Sequence, residues 1–246
     1  MLKPEEDAFG RGMCDHLHGR YTSLIVERDD GFIDASHVGH RLCLERYARW
    51  RKVERQAIRY ARGRVLDVGC GAGRVALHLQ EKGHPVVAID YSPLLVHVCR
   101  ERGVRDVRLM RFADVSADMG VFDAVVLFGG NFGLLETLQK GRRMLRRLHG
   151  MTSDRGRIIA SVRHPYKVSD VQHLEYHECN RRRGRRGGQL RLRVRYEKLA
   201  TPWFDYLLVS PEELREIVAG TGWQVSRLFE DESAFYSMVL TKEAAV

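Results

Sequence analysis

The stretch Val65 to Arg74, VLDVGCGAGR, constrains this chain more than any other, together with Asp90 at the end of the next apolar run, VVAID. Val65, Leu66 and Val68 read as a buried strand, Gly69, Gly71 and Gly73 as a turn without side-chain bulk, and Val75, Ala76 and Leu79 as the inner face of a helix. Such a turn lets a ligand lie against main-chain N–H groups, and a carboxylate at the tip of the second strand accepts hydrogen bonds from both hydroxyls of a ribose. The pattern therefore points to a nucleoside ligand. A dinucleotide fingerprint requires G-x-G-x-x-G, and here Arg74 stands where the third glycine belongs. No G-x-x-x-x-G-K-[ST] loop is present either, and Asp67, two residues before the first glycine, repels a pyrophosphate and attracts a cation.

With an acid followed by three alternating glycines, the segment resembles motif I of class I S-adenosylmethionine-dependent methyltransferases, whose cofactor carries a sulfonium and an ammonium and no phosphate. The resemblance implies that Asp67, Gly69, Cys70, Gly71 and Gly73 surround the methionine part. It implies that Asp90, with Tyr91 beside it, holds the ribose, and that Asp114 and Val115, beyond the third strand, meet the adenine; a plain helix cap is the alternative for Asp114. ERDDGFID (27–34) and TPWFDYLLVSPEE (201–213) look similar to an uncharacterised bacterial branch of the family.

The rest of the chain is read to match. Ser92 and Pro93 open a helix that Gly103 ends, Asp106–Phe112 alternates as a third strand, and Phe122–Phe128 is a buried fourth strand. A helix follows over about 134–148, then a strand over 157–162. Ser210, Pro211 and Glu213 announce a last helix, and Trp223–Phe229 and Phe235–Leu240 close the chain as an antiparallel pair. The expected fold is α/β: a Rossmann-like, seven-stranded, mostly parallel sheet with the last strand antiparallel, helices on both faces, and a β-hairpin insertion after strand five. Residues 1–61, including a helix over about 44–61, are expected to cover the cofactor site. Residues 62–246 form the methyltransferase domain, with a substrate cover at about 164–209.

Charge bears on the partner. The net charge is +9, yet eight arginines lie between Arg181 and Arg195, and without them 33 basic residues face 32 acidic ones. This segment is read as an arginine-rich hairpin, with Gly184, Gly187 and Gly188 at its turn and Gln189–Leu199 as a strand. It is a solvated surface, a grip on an anionic substrate, or a contact to nucleic acid. An apolar content of 44% without a run of membrane length, the charged start Lys3 to Asp7, and an odd number of cysteines, five, without paired spacing point to a cytoplasmic enzyme.

Methyl transfer is an in-line displacement that asks mainly for alignment and exclusion of water. Candidate groups lie after strands four and five: Asn131 and Phe132 to position an acceptor, His164 to take its proton, Tyr166 to orient either. Trp203, Phe204 and Tyr206 either touch substrate or cap the core. No metal is expected; His173, His177 and Cys179, placed on one strand face by alternation, lack a fourth ligand. The leading reading is transfer to a small, anionic acceptor. Its alternatives are an RNA methyltransferase using the arginine segment and a cofactor-binding protein without catalysis; nothing indicates a membrane, and the oligomeric state is open.

Overall fold

A computed structural model describes residues 2–20, 22–37 and 39–243. Seven strands form the main sheet in the order β11-β12-β7-β6-β3-β4-β5. These are β3 (Val65–Val68), β4 (Val86–Asp90), β5 (Val107–Leu109), β6 (Phe122–Leu127), β7 (Thr152–Arg163), β11 (Trp223–Glu230) and β12 (Phe235–Lys242). β3 and β4 are buried at every position, as a parallel sheet covered on both faces requires. β4 pairs with β5 and β6 with β7 in parallel, while β12 lies antiparallel between β7 and β11, with Tyr236 opposite Val162 and Val225 opposite Leu240. Strand order reverses at β3, and in such sheets the loops beyond the carboxyl ends at the reversal are where ligands bind. This is the expected seven-stranded class I architecture.

The chain divides into two compact units. The first comprises residues 1–50, 66–115 and 191–204. It holds α1 (Ala8–Leu17), α2 (Gly39–Leu44), α4 (Arg74–Glu81) and α5 (Pro93–Glu101), with Met13 and Cys14 of α1 packed on Leu95 and Val98 of α5 and on Ala72. The second comprises 51–65, 116–190 and 205–246, with α3 (Lys52–Ala57), α6 (Leu138–Gly150), α7 (Val171–Arg182) and α8 (Pro211–Val218). There Trp223 is fully buried and donates its indole N–H to Leu145 O at 2.9 Å.

Several elements differ from the sequence reading. The helix expected over 44–61 is broken into α2, a 3-10 turn at Tyr47–Arg49, α3 and a second 3-10 turn at Ile58–Tyr60. Arg46, Trp50 and Arg51 take extended ψ values of 154°, 154° and 141°. Aromatic packing compensates: Tyr47 stacks on His78 at 4.4 Å, and the Trp50 indole N–H bonds Glu45 O at 2.9 Å. The third strand shrinks to Val107–Leu109, with Phe112–Asp114 a 3-10 turn. The helix expected from Leu134 starts at Leu138, because Asn131–Leu135 is a 3-10 turn and the Thr137 side chain caps the helix through Lys140 N–H at 3.2 Å.

The arginine hairpin is also corrected. Residues 171–182 are a helix, capped by Asp170 on the Gln172 N–H at 2.8 Å, and its last turn carries Arg181 and Arg182, where cations complement the helix dipole. His173, His177 and Cys179 therefore lie on a helix, not on one strand face. The strand β8 (Gln189–Tyr196) follows and turns at Glu197, φ +50°, into the short β9 (Leu199–Ala200). β8 also pairs antiparallel with β1 (Leu24–Arg28), setting Glu27 opposite Arg193, and β1 pairs with β2 (Ile33–His37). With β10 (Phe204–Leu207) these strands form a second sheet, so the insertion strand pairs with N-terminal strands that the sequence reading missed. Among the described residues no helix is long and apolar enough to cross a membrane.

Candidate active site

In the first unit the loop after β3 has Gly69, Gly71 and Gly73 at φ of +64°, +57° and +81°. Gly71 admits no slack, since a Cβ there would sit 3.3 Å from the Cys43 sulfur. Asp67 is 2% exposed; one carboxylate oxygen accepts the Ala76 N–H at the start of α4, and Oδ2 has no hydrogen-bond partner. Burial pushes its carboxyl up to about 7, against the pull of Arg74 and of that N–H. Asp90, at the tip of β4, takes the Gly71 N–H on Oδ2 and the Ser92 N–H on Oδ1, both at 3.0 Å. Burial raises it to about 6. The Tyr91 N–H also bonds this carboxylate, which keeps a lone pair for a hydroxyl donor.

Cys70 lies 3.6 Å, sulfur to sulfur, from Cys99, whose thiol donates to Gly71 O at 3.1 Å; both are free thiols. Tyr91 is exposed at the strand tip and Val115 is buried. Asp114 is forked by Arg111 at 2.9 and 3.0 Å at the surface, an engagement that reading it as an adenine contact did not anticipate. Trp203 carries the Arg193 guanidinium 4.7 Å above its ring, and Phe204 is half-buried.

In the second unit the turn after β6 is clamped from two sides. Glu54, fully buried in α3, accepts the Gly129 N–H and the Ser161 hydroxyl at 2.9 Å each, and Ser161 Oγ also accepts the Gly130 N–H at 3.3 Å. Tyr206 donates its hydroxyl to Gly130 O at 2.6 Å, and its ring takes the space a side chain on Gly133 would need. These bonds hold the turn that carries half-buried Asn131. Phe132, expected to touch substrate, has no exposed surface and is a core residue: its ring faces protein, not open space.

His164 accepts the Tyr166 N–H on Nδ1 at 3.1 Å, so the neutral ring carries its proton on Nε2, and burial lowers its pKa. In that tautomer Nε2 donates; taking an acceptor's proton requires the ring to give up the Tyr166 bond. The Tyr166 hydroxyl is committed to Glu213 at 2.7 Å, and Glu213 in turn caps α8 through the Ser210 N–H at 3.0 Å. Burial and that carboxylate push Tyr166 up to about 12. The cofactor candidates Asp67 to Val115 thus share the first unit, while Asn131, Phe132, His164, Tyr166 and Tyr206 share the second. Sequence reasoning missed Glu54 and Ser161. Helical periodicity hides a buried glutamate, because nothing in the local pattern shows which backbone amides it will meet.

Residues 65–156 match the family model of a methyltransferase domain. A solved S-adenosylmethionine-dependent methyltransferase from Bacteroides fragilis, in complex with S-adenosyl-L-homocysteine, is 26% identical with a TM-score of 0.83, covering 98% of this chain and 97% of that one. Residues 65–156 are a methyltransferase domain, and the fold is that of S-adenosylmethionine-dependent methyltransferases. Among curated proteins, YqeM of Bacillus subtilis, named as a methyltransferase, is 24% identical over 114 residues, 45% of this chain and 46% of that protein. The ubiquinone biosynthesis O-methyltransferase of Xanthomonas oryzae pv. oryzae is 42% identical over 71 residues, 26% of this chain and 30% of that protein. The chain therefore spans under half the length of these methyltransferase relatives.

Proposed function

We propose that this protein transfers a methyl group from S-adenosylmethionine to a small-molecule acceptor. The observation that carries the reading is Asp67: a buried carboxylate with an oxygen that has no partner, beside a loop of positive-φ glycines, suits a cation and disfavours a phosphate. The residues present fit the cofactor: Asp67 would face the ammonium of its methionine part, Asp90 would accept its ribose hydroxyls, and the glycine loop, its Gly71 amide already committed to Asp90, would leave room for the ligand against the bare backbone. When bound, the cofactor supplies a carbon already activated by a sulfonium. The chain's own task is then to hold the acceptor in line and keep water out, which in favourable cases is worth roughly 7–11 kcal/mol.

The second unit's part is positional. Glu54, Ser161 and Tyr206 immobilise the turn bearing Asn131, whose amide has both a donor and an acceptor to offer. His164, with its proton on Nε2, suits hydrogen bonding to an acceptor that is already ionised. A phenolate fits that chemistry.

A small acceptor is favoured by the arginines. Arg181 and Arg182 lie 3.3 and 3.6 Å from Glu178, Arg186 pairs with Glu216, Arg193 forks Glu27 at 2.8 and 2.9 Å, and Arg195 reaches the same carboxylate at 3.5 Å. At least five of the eight thus have an acid of this chain as partner, which weakens the case for a phosphate-gripping face. The test is calorimetric binding of S-adenosylhomocysteine, followed by its release from S-adenosylmethionine across phenolic, amine and RNA acceptors. Turnover with RNA alone would overturn the small-molecule assignment, and absence of binding would overturn the whole reading.

A further inference from the structure

We infer that Asp7 is a positioning residue for the ribose-binding acid: it holds Ser92, and through Ser92 the Asp90 carboxylate, which makes the N-terminal segment a working part of the cofactor site. The inference rests on the cofactor reading above and adds to it a residue about eighty positions away in sequence.

Asp7 is 1% exposed and lies where two helices begin. It is the N-cap of α1, taking the Gly10 N–H on Oδ1 at 3.1 Å, and its Oδ2 takes the Leu94 N–H in the first turn of α5 at 3.1 Å. Both helix dipoles favour a negative charge there, which is why a carboxylate tolerates this burial. The Ser92 hydroxyl sits 2.8 Å from both Asp7 oxygens, donating to the pair, and accepts the Leu95 N–H at 3.0 Å as the N-cap of α5. The Ser92 backbone N–H then donates to Asp90 Oδ1 at 3.0 Å.

One residue thus carries both links: its hydroxyl reaches Asp7 and its amide reaches Asp90. Asp90 is held on its other oxygen by the Gly71 N–H of the cofactor loop and also takes the Tyr91 N–H, so its rotation is set by three amides, one of them anchored through Asp7. Gly10 shows how closely the segment docks. A Cβ there would lie 2.4 Å from Asp7 Oδ1 and 2.5 Å from Ser92 Oγ, so no other residue lets the α1 backbone approach so near.

Asp7 also places a like charge near Asp90 and contributes to its raised pKa. Asp90 is further faced by its neighbour Tyr91, by Asp67 of β3, and by the Cys43 and Cys70 thiols. Replacing Asp7 changes only one of these.

The test uses the full chain and S-adenosylhomocysteine in titration calorimetry, with wild type, Asp7→Asn, Ser92→Ala and the double variant, each checked by circular dichroism. Loss of one hydrogen bond's worth of positioning predicts about tenfold weaker binding in each single variant. The double variant is expected to be no weaker than either, because both interrupt the same link. The pH at which affinity falls by half moves down in Asp7→Asn, as removal of a like charge requires. Single variants that bind as tightly as a binding wild type, or losses that add, overturn this inference alone; a wild type that does not bind overturns the cofactor reading beneath it. Should Asp7→Asn fail to fold, Ser92→Ala and Asp7→Glu, which keeps the charge, carry the same comparison.

Discussion

Asp67→Asn should make the ligand-free protein more stable at pH 8 while removing its affinity for the cofactor. In the folded state burial raises the Asp67 carboxyl from 3.8 to about 7, so the native protein prefers it protonated more than the unfolded chain does. The stability this group contributes is present below pH 3.8 and is lost as pH rises through about 7. A shift of about 3 units at 1.36 kcal/mol per unit puts that loss at about 4 kcal/mol by pH 8. Asparagine carries no charge to desolvate and keeps an oxygen for the Ala76 N–H, but its new amide group, where Oδ2 has no partner, costs about 1–3 kcal/mol. The net gain is roughly 1–3 kcal/mol at pH 8, or about 2–12 °C in melting temperature for a chain of this size, and near pH 4, where the wild type carries no such loss, the sign reverses and the variant is the less stable by about 1–3 kcal/mol. The assay is thermal unfolding of both proteins at pH 4, 6 and 8, with and without S-adenosylhomocysteine. At a hundredfold excess over Kd the ligand should add about 2.7 kcal/mol to the wild type and nothing to the variant. A wild-type-to-variant difference that stays constant from pH 4 to 8, or equal stabilisation of both proteins by ligand, would refute the reasoning.

The same pair of carboxyls predicts that S-adenosylhomocysteine affinity weakens as pH falls from 8 through 7 and 6, because binding needs Asp67 and Asp90 ionised; titrations in buffers of different ionisation enthalpy should register proton release on binding at pH 6.5, and none would contradict the raised values. Gly73→Ala should lower the melting temperature by several degrees, since φ is +81° and the added Cβ would lie 2.6 Å from Val104 Cγ2, a strain of about 1–3 kcal/mol; an unchanged melting curve would show that the loop relaxes freely. Tyr166→Phe removes the bond to Glu213 and should cost about 1.5–3 kcal/mol of stability with little change in S-adenosylhomocysteine affinity, as calorimetry and thermal unfolding together would show.

The fold was legible because its signals are local. A buried, mostly apolar strand, glycines that take φ near +60° without steric cost, and a Ser-Pro or Ser-Pro-Glu helix start each state their role within ten residues, and β3, the loop at 69–73, α5 and α8 follow them. The misreadings have local causes too. Period-2 alternation over 189–199 was real, but what pairs with β8 is decided by β1, more than 150 residues away. The arginines before it ended a helix because Asp170 caps it, a cue weaker than the glycines that suggested a turn.

From the sequence alone came the resemblance to the family, the glycine loop and the two acids that bracket it, because motif spacing along one strand-turn-helix is enough to define a backbone cradle. Only tertiary structure decided how those groups are tuned and held: that Asp67 is buried with an oxygen lacking a partner, that Asp7 and Ser92 stand behind Asp90, that Glu54 and Tyr206 clamp the turn at Asn131, and that Phe132 belongs to the core. Burial and hydrogen bonding between residues 75 to 85 apart are properties of the packed chain, and neither periodicity nor spacing carries them.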